Sequence, residues 1–350
     1  VREPAFITGA DVSFLAQVEA AGGTYRDSIG VRDALEIFRD HGIDYVRLRL
    51  WHTPADGFCG LEQTVAMARR AKALGLGVLL DIHYSDTWAD PGRQTKPAAW
   101  ADLEFAALER AVRDYTALAV GLLRASGAVP DIVQIGNEIT AGMLWEDGRV
   151  GGARDANWPR LAALLKSAAK GAESERWHGR PRILLHVDAG GDNAACRSFF
   201  DRARAEGVPF DLIGVSYYPW WHGTLDDLRG NLVDLTARYG KPVMVVETAY
   251  PWTLTWSDAT HNLVGEPGRL LPGFPASEEG QRAFLAAELS LLREVAKGGE
   301  GGVFYWAPDW ISTRGFGSAW ENVALFDFEG NALPSLDAFN DVPRAPREPR

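Results

Sequence analysis

Cysteine, net positive charge and long apolar runs are all scarce in this chain, and each scarcity removes a class of function. Two cysteines in 350 residues, Cys59 and Cys196, cannot make a disulfide scaffold or a cysteine-built zinc site; one bridge and two free thiols are both compatible with the sequence. Acidic residues outnumber basic ones, 47 to 36, for a net charge of −11. Such a surface repels phosphate backbones, so nucleic acid is not an expected partner. The one basic cluster, Arg69, Arg70 and Lys72, falls on a helix-patterned stretch and reads as a solvated face. No apolar run reaches membrane-spanning length, so no membrane partner is expected. A Gly-x-Gly-x-x-Gly fingerprint after the first strand is also missing, which argues against a dinucleotide fold.

Tryptophan, by contrast, is abundant. Thirteen are present, many beside Gly, Pro, Asp or Asn, at positions typical of loops. Flat rings in loops suit ligands that present C–H faces, as sugars do, although any single ring serves equally well as core. The chain begins at Val1 with no signal segment, which is compatible with a mature secreted protein; secretion is the expectation.

Short β-type runs recur along the chain at Ala5–Ala10, Tyr45–Trp51, Val78–His83, Ile132–Ile135, Ile183–Val187, Leu212–Tyr217, Val243–Glu247 and Val303–Trp306. They read as buried parallel strands. Helix-patterned segments separate most of them, for example Leu61–Leu74, which stops at Gly75. Eight such units, in a chain longer than the roughly 250 residues typical of the fold, predict one (β/α)8 TIM barrel over residues 1–340. The Pro- and Arg-rich Asp341–Arg350 reads as a frayed tail. Long loops are expected after strands seven and eight, at Tyr250–Pro275 and Ala307–Asn322, on the face where barrel active sites form.

Two acids end apolar strands. Strand four runs into Asn137 and Glu138, and strand seven into Glu247. A carboxyl after four or five apolar residues is costly to bury without a use, and both are predicted at the active-site mouth. Two such carboxyls are what glycoside hydrolysis needs: one protonates the departing oxygen, and the other attacks the anomeric carbon or activates water.

Gly9–Ser13, Val46–Trp51, Asp81–Pro91, Gln134–Glu138 and Val246–Trp252 resemble the endo-β-1,4-galactanases of glycoside hydrolase family 53, and the likeness runs from the first strand to Phe326. The Asp81–Pro91 stretch, long and unusual, is what favours galactan over other glycans. The resemblance implies a retaining endo-hydrolase of β-1,4-galactan, with Glu138 as acid/base and Glu247 as nucleophile. Asn137 is then suited to the sugar 2-hydroxyl, and Arg47 or Arg49, which share a strand face, to stabilising the ionised nucleophile; Arg47 is favoured. By the same resemblance Tyr217 matches the residue that hydrogen-bonds the nucleophile, Asp188 a sugar-binding acid and Trp306 the platform beneath the sugar being cleaved. His83 lines the same mouth, and Trp88 is a candidate stacking residue. Trp220, Trp221, Trp252 and Trp320 either serve distant subsites or pack loops.

Some family members hold calcium between loops seven and eight, where Asp258, His261, Asn262, Ser318 and Glu321 fall here; a structural calcium ion is therefore an open expectation, and no cofactor is required for the chemistry. A monomer is expected. The rival readings are a mannanase, xylanase or glucanase on the same barrel, a non-catalytic glycan-binding barrel, and a metal-dependent hydrolase. Intact acids oppose the second, and the few histidines at strand ends oppose the third.

Overall fold

A computed structural model describes residues 6–173, 180–297 and 299–340. Eight parallel strands close into a barrel: β1 (Phe6–Asp11), β2 (Tyr45–Leu50), β3 (Gly77–Ile82), β4 (Ile132–Ile135), β5 (Arg182–Val187), β6 (Leu212–Tyr217), β7 (Val243–Thr248) and β8 (Gly301–Trp306). The order is sequential, and β8 pairs with β1 to complete the ring. Ala5, at the start of the first expected strand, and the tail Asp341–Arg350 lie outside the described residues.

Helices α1 (Ala34–Asp40), α2 (Leu61–Ala73), α3 (Phe105–Ala125), α4 (Trp158–Glu173), α5 (Asn193–Ala205), α6 (Leu225–Tyr239) and α7 (Glu278–Ala296) follow the first seven strands. After β8 the outer position is taken by a 3-10 segment, Pro334–Phe339. Side chains start several helices by accepting the first free N–H groups: Asp33 at α1, Asp192 at α5, Thr224 with Asp227 at α6 and Ser277 at α7. The apolar helix faces and the outward-facing strand residues form one continuous core.

Inside the barrel, the period of two along each strand stacks side chains in layers. The lowest layer is apolar: Ile7, Leu79, Ile132, Leu184, Leu212, Met244, Val246 and Phe304 pack together, all buried. Gly9 stands where the Phe304 ring crosses the axis; a Cβ there would lie 2.2 Å from it. Two residues further along the strands the interior turns polar, with Arg47, Asp81, Gln134 and His186 all fully or nearly fully buried. That change from apolar to polar along one axis puts the functional groups at the carboxyl ends of the strands.

β7 carries an irregularity that decides one of those groups. Val215 pairs with Val245, but Ser216 pairs with Glu247, so Val246 is one residue too many for its neighbour; the same jump appears against β8. A bulge re-aims the side chain that follows it. Val246 faces the inner apolar layer, and Glu247 is turned inward as well instead of alternating outward.

A second carboxyl is buried away from the mouth. Glu288 of α7 is fully buried; one oxygen accepts from Thr248 Oγ1 at 3.0 Å and the other has no partner. Burial pushes it up to about 8. The folded protein therefore holds a proton here that the unfolded chain releases above about pH 4.3. Stability from this group is present below that pH and is lost as pH rises through about 8. Glu288→Gln is expected to leave melting unchanged near pH 4 and to raise Tm by a margin that widens between about pH 4.3 and 8 and is constant above. Calorimetry across that range checks it, and a pH-independent gap between the two proteins contradicts it.

Candidate active site

Arg47 organises the mouth of the barrel. From β2 its guanidinium reaches Asp11 Oδ2 at 2.6 Å on β1, Asp81 Oδ2 at 2.9 Å on β3 and Glu247 Oε1 at 2.9 Å on β7. It also donates to Asn137 Oδ1 at 2.8 Å and to Gln134 Oε1 at 3.2 Å. The side chain is 1% exposed, and the surrounding carboxylates hold its pKa above the usual arginine value despite burial.

Arg49 points the same way but sits one layer higher, among rings. Its guanidinium carbon lies 4.0 Å from the Trp88 ring centre and 4.7 Å from those of Trp51 and Phe14. It donates to Cys59 Sγ, and among the described residues it makes no ion pair. Cys59 and Cys196 are both buried free thiols.

Glu247 accepts from the Tyr218 hydroxyl at 2.9 Å as well as from Arg47. Tyr217, expected to make that contact, points outward and donates to the Gly223 carbonyl at 3.0 Å. The reason is parity. Leu212 faces the barrel axis, so Gly214, Ser216 and Tyr218 face it too, whereas Tyr217 packs between strand and helices. The alternation was available in the sequence, and it would have selected Ser216 and Tyr218.

Glu138 lies three residues beyond β4, half-buried, with φ +49°. A left-handed backbone is uncommon for a residue with a side chain and clusters at functional sites. Cys59, Tyr84 and Ala307, also in loops at this end of the barrel, share it. Glu138 Oε1 accepts from Ser216 Oγ at 2.7 Å. One ligating atom each from Glu138, Glu247 and His186 fall within 4.8 Å of one another, so the two carboxyls face each other at close range. Burial, then Glu247, then Asp188 push Glu138 well above the usual carboxylate range. Burial also pushes Glu247 up, to about 7, but Arg47 and Tyr218 oppose it there. The two environments drive the pair apart, which divides proton donor from anion.

Asn137 is held on both sides, its oxygen by Arg47 and its Nδ2 by the Ala89 carbonyl at 2.9 Å. His83 donates through Nε2 to Asp81 and accepts at Nδ1 from Trp51 Nε1 and the Ala89 N–H; it anchors the third loop. Asp188 pairs with Thr140 Oγ1 beside a concavity that Pro91, Ala141 and Trp158 also line. Trp88 and Trp306 are partly exposed rings 6.0 Å apart. Trp320 is buried against Trp306, and Trp252 donates to the Glu321 carbonyl; both pack loops. Trp221 is 52% exposed and free to meet a ligand.

The calcium expectation is not supported by the arrangement of loops seven and eight. Asp258 is occupied by Ser312 Oγ, Ser318 N and Thr260 N, and Glu321 by the amide and hydroxyl of Ser257. Asn262 donates to Thr255 O, Ser318 to Trp310 O, and His261 lies against the Trp256 ring. The acids turn to separate partners, and these direct bonds tie the loops together. Among the described residues the one close group of three acidic or imidazole ligands is Glu138, His186 and Glu247. There the Arg47 guanidinium already takes the cation's place, and both His186 nitrogens are hydrogen-bonded.

The family model described as Glycosyl hydrolase family 53 matches residues 7–339. The chain belongs to glycosyl hydrolase family 53. An uncharacterized protein of Niallia circulans is 49% identical over 97% of this chain and 94% of its own length. The arabinogalactan endo-beta-1,4-galactanase of Cellvibrio japonicus is 41% identical over 95% of this chain and 89% of its own. Among solved structures, the family 53 catalytic domain of Ignisphaera aggregans superposes with a TM-score of 0.90 at 41% identity, covering 96% of each chain.

Two expectations for this family 53 site follow. Tyr218→Phe removes a donor that favours ionised Glu247, so the titration of that carboxyl moves up in pH, while Tyr217→Phe leaves it in place; carbon NMR of the labelled side chain reads the difference, and equal behaviour of the two variants contradicts the assignment. Chelation with EDTA is expected to leave Tm unchanged, because the loops hold each other directly. A drop in Tm restored by added calcium overturns that.

Proposed function

We propose that this chain is an endo-β-1,4-galactanase that cleaves the galactan of type I arabinogalactan, the side chains of pectin, by double displacement. The observation that carries the reading is the pair of facing carboxyls, Glu138 and Glu247, within 4.8 Å and in opposed electrostatic settings. Retaining glycosidases hold their carboxyls about 5–5.5 Å apart, and inverting ones leave room for water at roughly 6.5–9.5 Å.

In the first step Glu247, kept anionic by Arg47 and Tyr218, attacks the anomeric carbon. Glu138 gives its proton to the departing glycosidic oxygen, and a covalent galactosyl ester forms on Glu247. In the second step Glu138, now a carboxylate, takes a proton from water, which displaces Glu247 with the β-configuration restored. Asn137, fixed by Arg47 and Ala89, is available to the 2-hydroxyl. Trp306 at the end of β8 and Trp88 in the loop after β3 offer partly exposed flat faces, and Asp188 a polar wall. The name of the Cellvibrio japonicus relative supports galactan as substrate. A polymer of this size does not enter a cell intact, so the reading goes with a secreted protein.

The test is release of reducing ends from linear β-1,4-galactan, with mannan, xylan and mixed-linkage glucan beside it. Galacto-oligosaccharides are expected, first released as the β-anomer by proton NMR. Glu138→Gln and Glu247→Gln are expected to lose at least about a hundredfold in rate. Activity on another glycan alone overturns the substrate, an α-anomer overturns the double displacement, and silence of the folded protein on all four favours a glycan-binding barrel.

A further inference from the structure

His186 and Ser216 have no part in the scheme above, yet both are fully buried beside Glu138. Three contacts link them in a ring. The backbone N of Glu138 lies 3.3 Å from His186 Nδ1. His186 Nε2 lies 2.9 Å from Ser216 Oγ. Ser216 Oγ lies 2.7 Å from Glu138 Oε1.

The directions of these bonds follow from what each group can do. A backbone amide only donates, so Nδ1 is the bare nitrogen. The side-chain amide of Gln134, with one of its two hydrogens on Asp81 Oδ1 at 2.6 Å, lies 3.0 Å from the same nitrogen. Burial, with Arg47 nearby, holds His186 neutral, its pKa well below the usual value, so its one ring proton sits on Nε2. That proton goes to Ser216 Oγ. The serine must then turn its own hydrogen to Glu138 Oε1. Asn137 Oδ1 also lies 3.0 Å from Nδ1, and it accepts from Arg47 at 2.8 Å; the backbone N–H of Glu138 is what makes Nδ1 the acceptor.

We propose that His186 and Ser216 are positioning residues that close a hydrogen-bonded ring on Glu138, reserving Oε1 as an acceptor and leaving Oε2 to carry the proton delivered to the leaving oxygen. The ring starts at the backbone of Glu138 and returns to its side chain, so the loop conformation and the carboxyl rotamer are set together. When Glu138 gives up its proton, the Ser216 donor is already aimed at the charge that appears, without reorganisation. This rests on Glu138 being the acid/base.

Ser216→Ala removes a donor that favours the carboxylate, so the pKa of Glu138 rises. The alkaline limb of kcat/KM against pH on galactan is expected to move up, with kcat/KM down about tenfold or more and KM little changed. Glu247, Asp188, Arg47, His222, His83 and Tyr218 also face this group and remain in both proteins. A nitrophenyl β-1,4-galactobioside, whose leaving group needs no proton, is expected to lose far less of its glycosylation rate. Equal losses on both substrates with an unmoved limb overturn the proposal in favour of simple packing.

The tautomer is read in the wild-type protein by nitrogen NMR of labelled histidine, assigned with His186→Gln. A proton on Nε2 is expected, and one on Nδ1 overturns the ring even if Ser216→Ala does not fold. Glu138→Gln run in parallel separates the two readings. If it keeps full activity, the acid/base assignment itself fails; if it is inactive while Ser216→Ala behaves as wild type, only the ring fails.

Discussion

One buried cation holds this site together. Arg47 touches side chains from β1, β3 and β7 and from the end of β4, and so links half the barrel through a single guanidinium. Its planar fork makes this possible, since five N–H donors radiate in fixed directions and a lysine ammonium could not meet all five partners. Three carboxylates surround it, so the centre stays short of positive charge. That shortage, added to desolvation, lifts Glu247 to about 7. The arginine keeps the anion from rising further; loss of one partner from such a buried group costs about 3–5 kcal/mol.

The rest of the mouth is built around this centre by backbone devices. The bulge in β7 turns Glu247 inward next to Val246, and the left-handed turn at Glu138 carries the second carboxyl across to face it. Neither position is reached by regular strand geometry. Above them an aromatic shelf takes over, in which Arg49 is enclosed by Phe14, Trp51 and Trp88 and Trp306 leans on Trp320. Charge below and rings above form a surface suited to a ligand with hydroxyls on its edges and C–H groups on its faces. Loops seven and eight close one side, laced by Asp258, Glu321 and Asn322 to hydroxyls and backbone groups. A divalent ion would serve the same purpose in such loops, but here the acids have turned to neutral donors.

The order of elements was legible in the sequence because burial on both sides makes a barrel strand a nearly unbroken apolar run, and helices between such runs carry their own period. All eight strands appear within two residues of the expected positions. Arg47 was legible because a charged residue inside such a run must be paired. Tyr217 and Tyr218 are hard to tell apart for a related reason: two adjacent tyrosines end the sixth strand, and only their parity relative to Leu212 separates the one facing the axis from the one packed between strand and helices. His186 and Ser216 sit within apolar strands with no motif to single them out, although the same parity puts both inside.

The sequence by itself determined the fold class, the two acidic strand ends and the arginine between them, since hydrophobic period and the cost of burying charge act locally and leave a mark in the pattern. Alternation along the strands marks Tyr218, His186 and Ser216 as inward-facing, but only tertiary structure decided which side chains meet: that Glu247 sits beside Glu138, that Tyr218 donates to Glu247, and that His186 and Ser216 close a ring on Glu138. Those contacts join residues about 30 to 110 positions apart, and a single-residue bulge or one left-handed turn reassigns them. No run of residues encodes such a choice, because the competing arrangements differ only in how strands register against one another.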